Sequence, residues 1–110
     1  MITEADVEKA VDWLRENAIP AAKARAERIY MEAWVKTVLA QEMQKHSALP
    51  VAGQEREARA AVPYLAALQA LKEAVESDER SRFLREAAGA RIEAWRTMES
   101  TRRAEGRATS

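Results

Sequence analysis

The chain has 110 residues, no cysteine, and 18 basic against 18 acidic side chains. That length holds one domain at most, and the missing cysteine excludes disulfides, thiolate metal sites and thiol catalysis. No apolar run reaches the length of a membrane span, and no basic stretch leads into an apolar export signal, so the expected compartment is the cytoplasm.

Met1-Ile2-Thr3-Glu4-Ala5-Asp6 reads as a helix start. Thr3 can cap free N–H groups, and Glu4 and Asp6 suit the positive end of the helix dipole. Val7, Val11, Leu14, Ala18, Ala22, Ala26, Ile29 and Ala33 then recur every three or four residues, which predicts one helical stripe. Pro20 falls inside it and removes one backbone hydrogen bond. The stripe keeps phase across Pro20, which favours a kink over a break; a new helix starting at Pro20 is the alternative. The first helix is expected over about 3–45.

Between Ile29 and Leu39 the apolar residues spread around the helix. Ile29, Tyr30, Met31, Trp34, Val35, Val38 and Leu39 are too many for one neighbouring helix to cover. They are the expected oligomer interface, with Trp34 as its anchor. A loop is expected over about 46–54, punctuated by Pro50 and Gly53, with His46 solvated in it. The second helix is expected over about 55–104, kinked near Pro63. Its stripe runs Tyr64, Leu65, Leu68, Leu71, Val75, is interrupted by polar residues 77–82, and resumes with Phe83, Ala87, Ala90, Ala94 and Met98. Residues 107–110 are expected to fray, leaving 1–106 as a single domain.

The predicted fold class is therefore all-α: a long antiparallel two-helix hairpin, kinked near Pro20 and Pro63, in an oligomeric helical bundle. Reversal near Gly53 would set opposite each other residues whose numbers sum to about 108. Trp13 would face Trp95, and Ala18–Ala22 would face Glu86–Ala90. Leucine at Ala22 or Ala90 would then destabilise by about 1–3 kcal/mol through overpacking. Arg25 and Arg28 would lie near Asp78 and Glu79, either as a layer that fixes register or as ordinary solvated pairs.

Little here carries chemistry. His46 is the only histidine, and no Gly-rich phosphate loop or calcium-type loop occurs. Neither metal nor cofactor is expected, and the reading is non-enzymatic. Charge is uneven, however. Residues 80–110 hold eight arginines and four glutamates. Arg91, Arg96, Arg102, Arg103 and Arg107 gather near Trp95, a set that could grip phosphates and stack on single-stranded bases. The interleaved Glu93, Glu99 and Glu105 and a pI near 6.6 favour equally a salt-bridged helix end.

Two stretches carry a resemblance: residues 23–32, KARAERIYME, and residues 90–97, ARIEAWRT, followed by Arg102-Arg103-Ala104-Glu105-Gly106-Arg107. They resemble small helical proteins of bacteriophages and prophages encoded near single-strand annealing recombinases of the ERF and RecT kinds. The resemblance implies a helical hairpin with an arginine-bearing end, in the host-cell cytoplasm, acting in phage DNA recombination or replication. Its expected partners are a second copy, a phage or host protein such as a recombinase or single-strand-binding protein, and single-stranded DNA. Two other readings suit the same residues: an inhibitor docking on a host defence protein, and a virion or scaffold component.

Overall fold

The computed structural model describes residues 1–109. They form four helices, α1 (Glu4–Glu16), α2 (Ala18–Gln44), α3 (Val51–Ala60) and α4 (Val62–Thr109), with no strand among the described residues. The expected first helix is thus two helices, and so is the second. α4 continues through the segment expected to fray; Ser110 lies outside the described residues.

Both interruptions answer a proline. α1 stops at Asn17, whose backbone N–H and side-chain Nδ2 both donate to the Trp13 carbonyl at 2.9 Å. α2 restarts at Ala18, so Pro20 falls in a first turn, where helical N–H groups lack intrahelical partners anyway. Ala61 is extended, with φ −73° and ψ 143°, and α4 restarts at Val62 with Pro63 second. The breaks sit just before the prolines because that is where a missing donor costs least.

The reversal is also shorter than expected. Residues 45–50 turn through the hydrogen bonds Lys45 N–H to Glu42 O, His46 N–H to Met43 O and Leu49 N–H to His46 O. His46, expected solvated, is half-buried there. Gly53 lies inside α3 rather than in the loop. A Cβ at Gly53 would sit 3.3 Å from the Leu49 Cβ, so glycine lets the turn close against α3.

Packing divides the chain into two compact units, one of Met1–Ala21 with Arg80–Ser110, the other of Ala22–Glu79. In the second unit, α2 turns inward Ala24, Arg28, Met31, Val35, Val38 and Glu42. α4 answers with Tyr64, Ala67, Leu71, Ala74 and Asp78. Steps alternating between three and four residues are the coiled-coil spacing. Val38, Tyr64 and Ala67 form the buried cluster, with Val35 and Leu39 packed on it. Arg28 Nη1 donates to Asp78 at 3.3 Å and to Glu79 at 3.0 Å, and Nε donates to Glu32 at 3.1 Å. These contacts set α2 and α4 antiparallel in this unit. The pairs hold the Arg28 guanidinium above its usual pKa, Glu32 first and Glu79 next. The polar layer is therefore formed by Arg28 alone; Arg25 is exposed.

The first unit opens on a capping box. Thr3 N–H donates to Asp6 Oδ2 at 2.9 Å, and Asp6 N–H donates to Thr3 Oγ1 at 3.2 Å. These bonds to Thr3 hold the Asp6 carboxyl below the usual carboxylate range, helped by the charges of Arg91 and Lys9. α1 turns inward Val7, Ala10 and Leu14; α4 turns inward Arg85, Ala88, Ile92, Trp95 and Glu99.

The stripes expected from sequence are displaced. Val11, Ala18, Ala22, Ala26, Ile29 and Ala33 are exposed, as are Leu65, Leu68, Phe83, Ala87, Ala90 and Ala94. Successive steps of four residues advance about 40° around a 3.6-residue helix. The stripe through Ala18, Ala22 and Ala26 therefore drifts off the seam. The register differs too. Trp13 lines a cleft with Leu84, Ala87, Ala88 and Arg91, whereas Trp95 lines one with Met1, Ile2 and Thr3.

With Ala22 and Ala90 exposed, the overpacking expected there is withdrawn. The site that takes no extra bulk is Ala58, with 0% exposure. Ala58→Leu is expected to destabilise by about 1–3 kcal/mol, while Ala22→Leu and Ala90→Leu leave urea midpoints unchanged. Equal midpoints for all three would contradict this packing.

Candidate interaction surfaces

The buried positions of this chain are mostly small, and several bulky apolar side chains lie outside. The buried hydrophobics are five alanines (Ala10, Ala21, Ala58, Ala67 and Ala74) with Met31, Val38 and Tyr64. Outside lie Ile19, Ile29, Tyr30, Trp34, Leu65, Leu68, Phe83 and Leu84. A soluble monomer gains most by burying its bulky residues. Here the helix spacing turns alanines inward and leaves bulk for something else to cover.

The second unit carries the clearest such surface. Ile29, Tyr30 and Trp34 are exposed on α2, at 55%, 60% and 38%. Tyr30 and Trp34, four residues apart, stack with ring centroids 6.5 Å apart and planes 8° from parallel. Ala26, Ala33 and Thr37 share this side of the helix, with Lys23 and Glu27 at its N-terminal edge. The surface is narrower than the sequence suggested. Met31 and Val38 belong to the unit's own core, and Val35 and Leu39 pack against it. The seam spacing explains the division: residues at 31, 35 and 38 follow three- and four-residue steps, and 29, 30 and 34 fall outside them. Counting heptads would have separated the two sets. Leu65 and Leu68, on α4 of the same unit, were assigned to the core stripe from sequence and are exposed surface instead, at 52% and 38%.

The first unit carries the arginine-rich segment. Arg91, Trp95 and Arg102 fall on one flank of the α4 seam and Arg96, Arg103 and Arg107 on the other flank, about 120° around the helix. The six residues thus do not converge on one face. Arg96 pairs with Glu93 at 2.9 Å, and Arg102 with Glu99 at 3.0 Å. Trp95 is half-buried and lines an open cleft of about 480 Å³ with Met1, Ile2, Thr3, Glu4, Glu99 and Arg102. Arg103 and Arg107 are exposed. The fold also brings acidic α1 into this unit. Residues 1–21 and 80–110 together hold ten basic and nine acidic side chains, so the local excess of the segment is nearly cancelled. Neutralisation weakens the counterion-release term that drives nucleic-acid binding.

Comparison of the chain with protein-family models, with curated proteins and with solved structures finds no match. The geometry therefore carries the functional argument. Among the described residues, no three His, Asp or Glu side chains come together as a metal site, and no helix is long and apolar enough to cross a membrane.

A second cleft in the first unit was not foreseen. It has a volume of about 300 Å³ and is lined by Lys9, Ala10 and Trp13 of α1 and by Leu84, Ala87, Ala88 and Arg91 of α4. Only Arg91 of these was singled out from sequence as a binding residue. The signal available was the run Ala87-Ala88-Gly89-Ala90, which leaves room beside whatever faces it.

Proposed function

We propose that this is a non-enzymatic accessory protein that self-assembles through the Ile29–Tyr30–Trp34 surface and engages a partner through its first unit. The observation that carries the reading is the stacked Tyr30–Trp34 pair, exposed beside Ile29 on α2. The protein's role is in phage DNA recombination or replication, as the resemblance of residues 23–32 and 90–107 implies, with a recombinase, a single-strand-binding protein or single-stranded DNA as partner. The near-neutral charge of the first unit favours a protein over DNA.

Light scattering tests the assembly and a pull-down tests the partner. The expected mass is a multiple of 12.3 kDa, and an ERF- or RecT-type recombinase is expected on immobilised protein. Fluorescence anisotropy with labelled single-stranded DNA at low salt runs in parallel. A monomeric mass at high concentration, with neither recombinase nor DNA retained, would remove the reading.

A further inference from the structure

We infer that the Lys9–Trp13–Leu84–Arg91 cleft of the first unit receives a bulky apolar side chain of an acidic peptide segment, whose carboxylates meet Lys9 and Arg91. This rests on the reading that the first unit engages a partner protein, and it names the kind of segment that partner presents.

The floor of the cleft is small and apolar: Ala10 is buried, Ala88 half-buried, and Ala87 completes it. The half-buried Trp13 indole and the Leu84 side chain, 49% exposed, form its walls. An indole beside an aliphatic chain is the composition that anchors a partner's aromatic or branched side chain. The two cations at the rim come from different helices, Lys9 from α1 and Arg91 from α4, and bracket the hollow. Neither makes a salt bridge among the described residues, unlike Arg96 and Arg102 further along the same helix. Asp6 lies near both, and its carboxylate, kept ionised by the Thr3 hydrogen bonds, offsets part of their field. Two cations against one carboxylate, flanking an apolar hollow, complement an anion that adjoins an apolar group.

The size and openness of the cleft decide the kind of occupant. About 300 Å³ is the lower limit of small-molecule sites, which enclose most of their ligand. This cleft is open along the helix pair and would leave such a ligand largely in water. A peptide needs only one anchored side chain, because its backbone lies along the surface and its neighbouring carboxylates meet the rim. Nucleic acid fits less well: the wall space holds one ring, and two cations at one cleft do not track a phosphate backbone.

The test uses the full chain and a fluorescein-labelled peptide of four aspartates closed by a C-terminal phenylalanine, read by anisotropy at low salt. Saturable binding is expected. Replacing the terminal phenylalanine with alanine, or the aspartates with serine, is expected to weaken it at least tenfold. On the protein side, Arg91→Glu and Ala87→Trp should each cost tenfold or more, the first by reversing a rim charge and the second by filling the hollow. Arg91→Lys should retain most of the affinity. Ala87 and Arg91 are exposed, and far-UV circular dichroism checks that each variant stays helical. Equal affinity for the phenylalanine-free peptide, no loss in Ala87→Trp, or displacement of the peptide by a single-stranded oligonucleotide at lower concentration would each overturn the assignment. A chain that retains a recombinase but ignores the peptide loses this site and keeps its accessory role. A chain that binds the peptide through this cleft but neither assembles nor retains a recombinase keeps the site and loses that role.

Discussion

Tyr64→Ala is expected to lower stability by about 3–5 kcal/mol, read as a fall in the urea midpoint. Tyr64 is the largest buried side chain of the second unit, 7% exposed, and it closes the cluster with Val38 and Ala67. Its neighbours are too small and too helical to collapse into the space it would leave, so the cavity contribution is retained. The ring also carries Arg59, whose Nη1 donates to the Tyr64 hydroxyl at 3.0 Å and whose guanidinium carbon lies 5.8 Å from the ring centroid. Tyr64→Phe separates the two contributions. It removes only a hydrogen bond to a half-solvated arginine and should cost about 0.5–1.5 kcal/mol, toward the low end. A domain of ordinary stability, about 5–15 kcal/mol, would lose a large share in the first variant and little in the second. Matching midpoints for wild type and Tyr64→Ala would mean that this cluster does not hold the unit together.

Trp34→Glu is expected to reduce the light-scattering mass to that of one chain, 12.3 kDa, while far-UV circular dichroism keeps its helical form. Trp34 combines exposure with a rigid stacked neighbour, Tyr30. Rigid aromatic surface loses little conformational entropy on association, which is why such residues dominate interface energies. A carboxylate there would have to be desolvated against apolar surface, a cost that opposes association outright. Met31→Glu is the informative contrast. Met31 is 7% exposed and sits in the unit's own seam, so its replacement should unfold helix as well as change mass. Assembly unaffected by Trp34→Glu would place the interface elsewhere on the chain.

Helix content and the apolar ground around Trp34 were legible in the residues, and the polar layer at Arg28 was one of two readings they allowed. The capping box was legible as well, because Thr3 and Asp6 are three residues apart and need nothing distant. Less legible were the breaks. Pro20 and Pro63 pointed to kinks in two continuous helices, but the helices break at Asn17 and Ala61, where a restarted helix places each proline in its first turn. The seam was misread for a different reason. Alanine serves both exposed and buried positions at similar cost, so an alanine-rich helix offers several stripes, and the one through Ala18, Ala22 and Ala26 looked as continuous as the one through Ala21 and Ala24.

The sequence by itself determined that this chain is helical, and that it carries more bulky apolar residues on α2 than a seam can use, because those properties depend on local propensity and composition. Only the tertiary structure decided which of the bulky residues face inward, that acidic α1 shares a unit with the arginine-rich segment, and that Lys9 and Arg91 flank one hollow with Trp13. Those outcomes depend on register between helix segments distant in sequence. Register is set by a few contacts, such as Arg28 with Asp78 and Val38 with Tyr64, and a shift of a few residues would leave every local signal unchanged.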